Sequence, residues 1–387
     1  MSILDLFDGI RRRLRGDANS KDAGTGAGSE DASSSSDADG TSTSSTSSVE
    51  APQEERFILC IDGGGMRGVI PMVLLRRLEQ EIRRCGGDDS FDSYFDYIAG
   101  TSTGGLISLA LTCPTSFGYR ICRNAPQVEL DDIFEQYMSM GRTIFPTSTF
   151  TGLRKIASTK YPETGIESML DQWFGDSRLG EATVPTLIMS YDLFAGAPVI
   201  LKSYEDRSFL VKDAGRATSA APTYFPPLIR NGEILVDGGV VANNPAIYAY
   251  IEAKRLYPNC KRFHVISLST SGKNHTMSLE DTYGLLSWVD QVNPMFSTAQ
   301  KRTADYVLGN MPDVDYIRLD DPFEAGIKMD DTNPDSINAM VAFAEDMAQR
   351  HADDILEIAT MLLGNRTHRN DALDTQRLQG LQRLQES

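Results

Sequence analysis

The apolar positions divide the chain into three zones. Near the start, Ile3, Phe7, Ile10 and Leu14 recur at helical spacing, and Arg11, Arg12, Arg13 and Arg15 crowd the end where a helix favours cations. From Asp17 to Ser48 there is no Leu, Ile, Val, Met, Phe, Trp, Tyr or Cys; Ser, Asp, Gly, Thr and Ala fill the stretch. It cannot bury enough apolar area to offset its chain entropy and is expected to be a disordered linker. From about Arg56 onward, strand and helix patterns alternate. Apolar runs predict strands over 57–61 and 94–99, a strand pair over 184–193 and 199–204, and strands over 234–236 and 262–269. Helical periodicity predicts helices over 69–84, 103–112 and 243–256, the last tolerating Pro245 because it comes early. A long helix is expected over 336–363, and the tail beyond Asn365 is polar. This alternation implies α/β architecture with a mostly parallel central sheet. The expected organisation is an amphipathic basic segment (1–16), a linker (17–55), a folded α/β domain with C-terminal helices (56–364) and a tail (365–387).

Composition narrows the field. The formal net charge of −17 argues against a general nucleic-acid binder, which usually presents a basic surface. Residues 1–56 hold 11 acids and 6 bases, so −5 belongs to them and −12 to the rest. The five cysteines (Cys60, Cys85, Cys113, Cys122 and Cys260) are scattered without a CxxC pair, as are the four histidines, so neither a disulfide scaffold nor a zinc module is expected. No apolar run of spanning length occurs, and the N-terminus lacks the core of a secretory signal. The expected location is cytoplasmic and peripheral at membranes, a secreted effector being the other reading. The segment around Ile3 to Arg15 reads as a membrane or partner anchor on a tether.

Candidate chemistry begins after the first strand. Asp62-Gly63-Gly64-Gly65-Met66-Arg67-Gly68 ends that strand and opens a helix. Gly63, Gly65 and Gly68 satisfy the outline of a dinucleotide-binding turn. The physics is broader: consecutive glycines let backbone N–H groups converge, and at a helix N-terminus they face a phosphate or an oxyanion alike. Gly100-Thr101-Ser102-Thr103-Gly104-Gly105 fits G-x-S-x-G between a predicted strand and a predicted helix. That context makes Ser102 a candidate nucleophile, with the Thr103 N–H aimed where an oxyanion forms. A serine needs a base. His264 falls in a predicted strand, His275 in a polar loop, His351 on the late helix and His368 in the tail. The other route is direct contact with a carboxylate. Asp237, in Leu235-Val236-Asp237-Gly238-Gly239, ends a short apolar strand and is the best-placed candidate.

Together these motifs resemble the patatin-like phospholipase family, which carries a D-G-G-G-x-R/K-G turn, a G-x-S-x-G elbow and a D-G-A/G motif in this order. Ala217-Thr218-Ser219-Ala220-Ala221-Pro222 with Phe225-Pro226-Pro227, and Val241-Ala242-Asn243-Asn244-Pro245, resemble the segments flanking the family's acid. The resemblance covers residues 57–269; Gly239 stands where other members have Ala. It implies a three-layer α/β/α sandwich and ester hydrolysis of a glycerolipid without metal or cofactor. It implies Ser102 as nucleophile and Asp237 as base in a dyad, with Gly63, Gly64 and Gly65 as oxyanion donors. Arg67 either steadies the turn or meets a lipid phosphate. The implied partners are a phospholipid or other glycerolipid and a membrane surface, with an activator, protein or small nucleotide, left open. An ordinary α/β hydrolase with a Ser102–Asp237–His264 triad is the alternative, its chain order being permitted.

Overall fold

The computed structural model describes residues 54–113, 119–122, 125–146, 159–272 and 285–366. The N-terminal segment, the Ser-rich linker, most of the polar tail, His275 and His368 lie outside the described residues.

Five strands form the parallel part of one sheet: β1 (Glu55–Ile61), β2 (Tyr97–Thr101), β5 (Thr186–Asp192), β9 (Arg262–Leu268) and β10 (Val314–Leu319). Their order is β10-β9-β1-β2-β5. Beyond β5 the sheet turns antiparallel. Strands β6 (Ala197–Lys202) and β8 (Glu233–Asp237) both pair with β5, and β7 (Leu228–Arg230) pairs with β8. A separate ladder joins β3 (Tyr119–Cys122) to β4 (Ala125–Val128).

Alternation along β1 shows why helices cover both faces. Phe57, Leu59 and Ile61 point into one core, whereas Ile58 and Cys60 point into the other. The first core is roofed by α1 (Val69–Arg84), α2 (Thr103–Thr112), α3 (Leu130–Ile144), α4 (Thr164–Phe174), α5 (Val211–Thr218) and α8 (Pro334–Arg350). The second lies under α6 (Ala246–Leu256) and the end of α7 (Leu285–Gly309), where Leu308 is fully buried. The result is the expected three-layer sandwich on a mixed sheet.

Helix α1 follows its pattern at both ends. Val69 to Leu75 are buried, Arg83 and Arg84 close the last turn, and Gly86 takes a φ of +97° just beyond it. Three expectations need correction. The second strand begins at Tyr97, because Phe91–Tyr94 forms a 3-10 turn first. Helix α6 begins at Ala246, since the Asn244 side chain accepts the Ala246 N–H at 2.9 Å and leaves Asn243 in the preceding loop. The long C-terminal helix is two: α8 stops at His351, and a final helix, α9, spans 352–366. No described helix is long and apolar enough to cross a membrane.

Candidate active site

The three motifs leave the sheet at one level. Ile61 lies opposite Gly100, Thr101 opposite Met189, and Ser190 opposite Asp237. Strand β6 occupies one edge of β5 along its length, so β2 and β8 share the other edge. They arrive from opposite directions, β2 stopping at Met189 and β8 at Ser190. Their tips therefore meet end to end. Ser102, the first residue past β2, comes beside Asp237, the last residue of β8.

Ser102 sits in a sharp turn with φ 55° and ψ −125°, a strained conformation for a residue with a Cβ. A Cβ on Gly104 would stand 2.1 Å from the Ile61 carbonyl oxygen, so only glycine lets β1 pack this close behind the serine. Thr218 pins the elbow: its hydroxyl accepts the Ser102 N–H at 2.8 Å and donates to Met189 O at 2.6 Å.

Asp237 is buried, and the Ser102 hydroxyl beside it favours its ionised form. Its Oδ1 also accepts the Gly239 N–H at 2.7 Å. No cation lies within ion-pair distance of it among the described residues. Burial pushes its pKa up to about 6, against the opposing pull of the Ser102 hydroxyl and the Gly239 N–H.

The glycine turn faces the same point. A Cβ on Gly63 would come 3.0 Å from Ser102 Cβ. Gly63 itself departs from its expected role as an oxyanion donor, because its N–H already donates to Asn243 O at 3.0 Å. The N–H groups of Gly64, Gly65 and Thr103 have no acceptor among the described residues. Tyr137, unmarked by any motif, bridges the two donor elements. Its buried hydroxyl bonds Thr103 Oγ1 at 2.5 Å and donates to Gly65 O at 2.6 Å. Asp62 does not face the serine. It is fully buried and held by Arg318 from β10 through two bonds of 2.9 and 2.7 Å. Arg67 is mostly buried, and its Nε has no hydrogen-bond partner. It forms no ion pair among the described residues, and desolvation lowers its pKa.

Two histidines lie among the described residues, each engaged elsewhere. His264 pairs in register with Phe57, four residues before the level of Ile61, or about 13 Å along the strand. It stacks on the Phe57 ring at 4.5 Å and faces Glu55 at 3.2 Å. His351 lies between Asp321 and Asp354 at the end of α8. A Ser102–Asp237–His264 triad is therefore excluded by distance.

Beside Ser102 opens a pocket lined by Leu106, Tyr137, Ile144, Phe145, Ile166 and Phe225. Its wall is almost wholly apolar, suited to a hydrocarbon chain.

Residues 59–250 match the family model described as patatin-like phospholipase. Patatin-like protein 2 of Arabidopsis thaliana is 33% identical over 313 residues, which cover 68% of this chain and 75% of that protein. The chain belongs to the patatin-like phospholipase family. Membership places this patatin-like chain among lipid acyl hydrolases. Patatin-like protein 2 of Oryza sativa subsp. indica is 29% identical over 377 residues, covering 84% of this chain and 88% of that one. The solved structure of VipD from Legionella pneumophila aligns with a TM-score of 0.38 and 11% identity, over 79% of this chain and 67% of that one. In this patatin-like phospholipase the family match ends at Tyr250, so Arg318 and the rest of the C-terminal region lie beyond it.

Proposed function

We propose that the chain hydrolyses glycerolipid fatty-acyl esters through a Ser102–Asp237 dyad and an acyl-enzyme. The observation that carries this reading is the buried Asp237 carboxylate beside the Ser102 hydroxyl, with His264 remote and His351 engaged by Asp321 and Asp354. Asp237 takes the hydroxyl proton as Ser102 Oγ attacks the acyl carbonyl. The N–H groups of Gly64, Gly65 and Thr103 receive the oxyanion. Collapse expels the alkoxide, which takes the proton from Asp237 and leaves as a lysolipid or alcohol. Asp237 then deprotonates a water that attacks the acyl-serine, and the returning proton restores Ser102 and frees the fatty acid. The acyl chain occupies the apolar pocket. Arg67, a desolvated guanidinium with no ion-pair partner among the described residues, is the group that meets a headgroup phosphate.

A serine-directed fluorophosphonate probe should label the wild type and leave Ser102→Ala unmodified, while released fatty acid from mixed phospholipids disappears in the same variant. Fatty-acid release that survives Ser102→Ala would defeat the reading.

Peripheral membrane contact is part of the proposal. The β5–β6 hairpin extends past Met189 by four residues to Leu193, about 13 Å beyond the serine's level. Its tip carries no charge from Leu193 to Pro198, and Leu193 and Phe194 are 54% and 78% exposed. Continuing the β5–β8 register places Leu193 opposite Ile234, which pairs with Ile229, itself 74% exposed. Large apolar groups exposed at the site's own end suit a lipid surface. Leu193→Ser with Phe194→Ser should lower hydrolysis of vesicle phospholipid and spare a soluble short-chain ester; equal loss on both substrates, or on neither, would reject the hairpin's role. Removing residues 1–16 asks the same of the basic N-terminal segment.

A further inference from the structure

Two consecutive side chains of α7 reach two different loops of the site, from beyond the residues that match the family model. Gln300 Oε1 accepts the Asn243 N–H at 3.0 Å, and Gln300 Nε2 donates to Val240 O at 3.1 Å. A primary amide uses both its donor and its acceptor here, on two residues of the one loop that follows Asp237. Its neighbour Lys301 points to the other loop. Lys301 Nζ lies 3.8 Å from Asp62 Oδ2 and donates to Ser269 Oγ at 3.2 Å.

The loop held by Gln300 is itself the clamp on the glycine turn. The Asn243 carbonyl accepts the Gly63 N–H at 3.0 Å, and Asn243 Nδ2 donates to Gly63 O at 3.2 Å. Asn243 is thus held from behind by Gln300 and holds Gly63 in front. Thr101 adds one more tie, donating to Ala242 O at 2.7 Å just before the serine. The acid loop is therefore fastened to the elbow through Ala242 and to the glycine turn through Asn243. Residues 239–241 are half-buried or exposed, so packing alone does not fix this loop. Gln300 is the side chain that anchors it to the scaffold on the outer side.

We propose that Gln300 is a positioning residue for acyl transfer: it fixes the 240–243 loop so that Asp237 and the oxyanion donors keep their spacing about Ser102. This rests on the Ser102–Asp237 reading. Gln300 touches no reacting atom and acts through Asn243 and Val240. Loss of such support shifts groups by fractions of an ångström to about 1 Å, which costs rate and leaves ground-state binding nearly intact.

The test uses the full-length protein and a soluble short-chain p-nitrophenyl ester. Gln300→Met keeps length and volume but removes both hydrogen bonds. Its kcat should fall about 10- to 100-fold with KM within about twofold, while fluorophosphonate titration still counts one reactive Ser102 per chain. Gln300→Glu keeps an acceptor for the Asn243 N–H and loses the donor to Val240 O, so its kcat should fall between the two. A wild-type kcat in Gln300→Met overturns the proposal. So does a fall in kcat that only tracks a loss of titratable serine, because that is misfolding. Activity that persists in Asp237→Asn is a different failure, that of the dyad itself, and is read separately.

Discussion

Asp62 and Asp237 are written alike. Each ends an apolar strand, each is followed by two glycines, and both side chains are buried at the carboxyl edge of one sheet. Their neighbours make them opposites. Asp62 is met by the Arg318 guanidinium in a two-bond fork, with Lys301 at 3.8 Å, and Ser267 and Asp320 also hold the arginine at 2.7 and 3.2 Å. Asp237 receives one backbone N–H and lies beside the Ser102 hydroxyl, no cation reaches it among the described residues, and its pKa rises to about 6. A buried carboxylate paired with arginine is an anchor; one without a cation is suited to the role of base proposed for Asp237. What separates them is a residue 256 positions away in sequence.

The sharpest way to break this contrast is to neutralise each acid. Asp237→Asn keeps the hydrogen-bonding shape and removes the base; kcat on a soluble ester should drop about 10³- to 10⁴-fold with an intact fold. Next in size is Arg318→Met, which strands the Asp62 charge in the core. Removing one partner of a buried pair costs about 3–5 kcal/mol, visible in urea unfolding. Adding Asp62→Asn to it should recover part of that loss, whereas no recovery would show that Arg318 acts elsewhere.

A smaller effect tests the same contrast through stability. The folded-state pKa of Asp237 lies above its ordinary value of 3.8, so the native state holds its proton more tightly than the unfolded chain. The ionised group therefore weakens the fold progressively as pH rises from about 4 to 6, and the cost is complete above that. Asp237→Asn should raise stability at pH 8 by on the order of 2 kcal/mol and leave it unchanged near pH 4. The smallest effect concerns the bridge between the donor elements. Tyr137→Phe keeps the ring and deletes the hydroxyl on Thr103 and Gly65; kcat should fall about tenfold with little change in KM.

The parts of the site that were legible are those whose chemistry is local. A glycine turn, a serine elbow and an acid after a strand each show themselves in five to seven residues, and α1 kept the span its periodicity predicted. The ties between them are not local. Thr218 holds the elbow across 116 positions, Tyr137 joins Thr103 across 34, and Gln300 reaches the acid loop across 57. None of these residues stands in a pattern that names its partner. Helix α3 was not among the expected helices, although Leu130, Ile133, Tyr137 and Ile144 follow helical spacing. The break at His351 was not legible, because neither Gly nor Pro marks it. The end-to-end meeting of β2 and β8 along β5 follows only from pairing register, which the short run 234–236 could not specify.

The dyad itself is tested most directly by the pH dependence of Ser102 acylation. The rate of fluorophosphonate labelling would be followed from pH 4 to 9 in the wild type and in Asp237→Asn. The expected result is a single acidic limb with its midpoint near pH 6 in the wild type, as Asp237 loses its proton, and a slow rate without that limb in the variant. A limb that persists unchanged in Asp237→Asn would assign the base to another group and contradict the dyad.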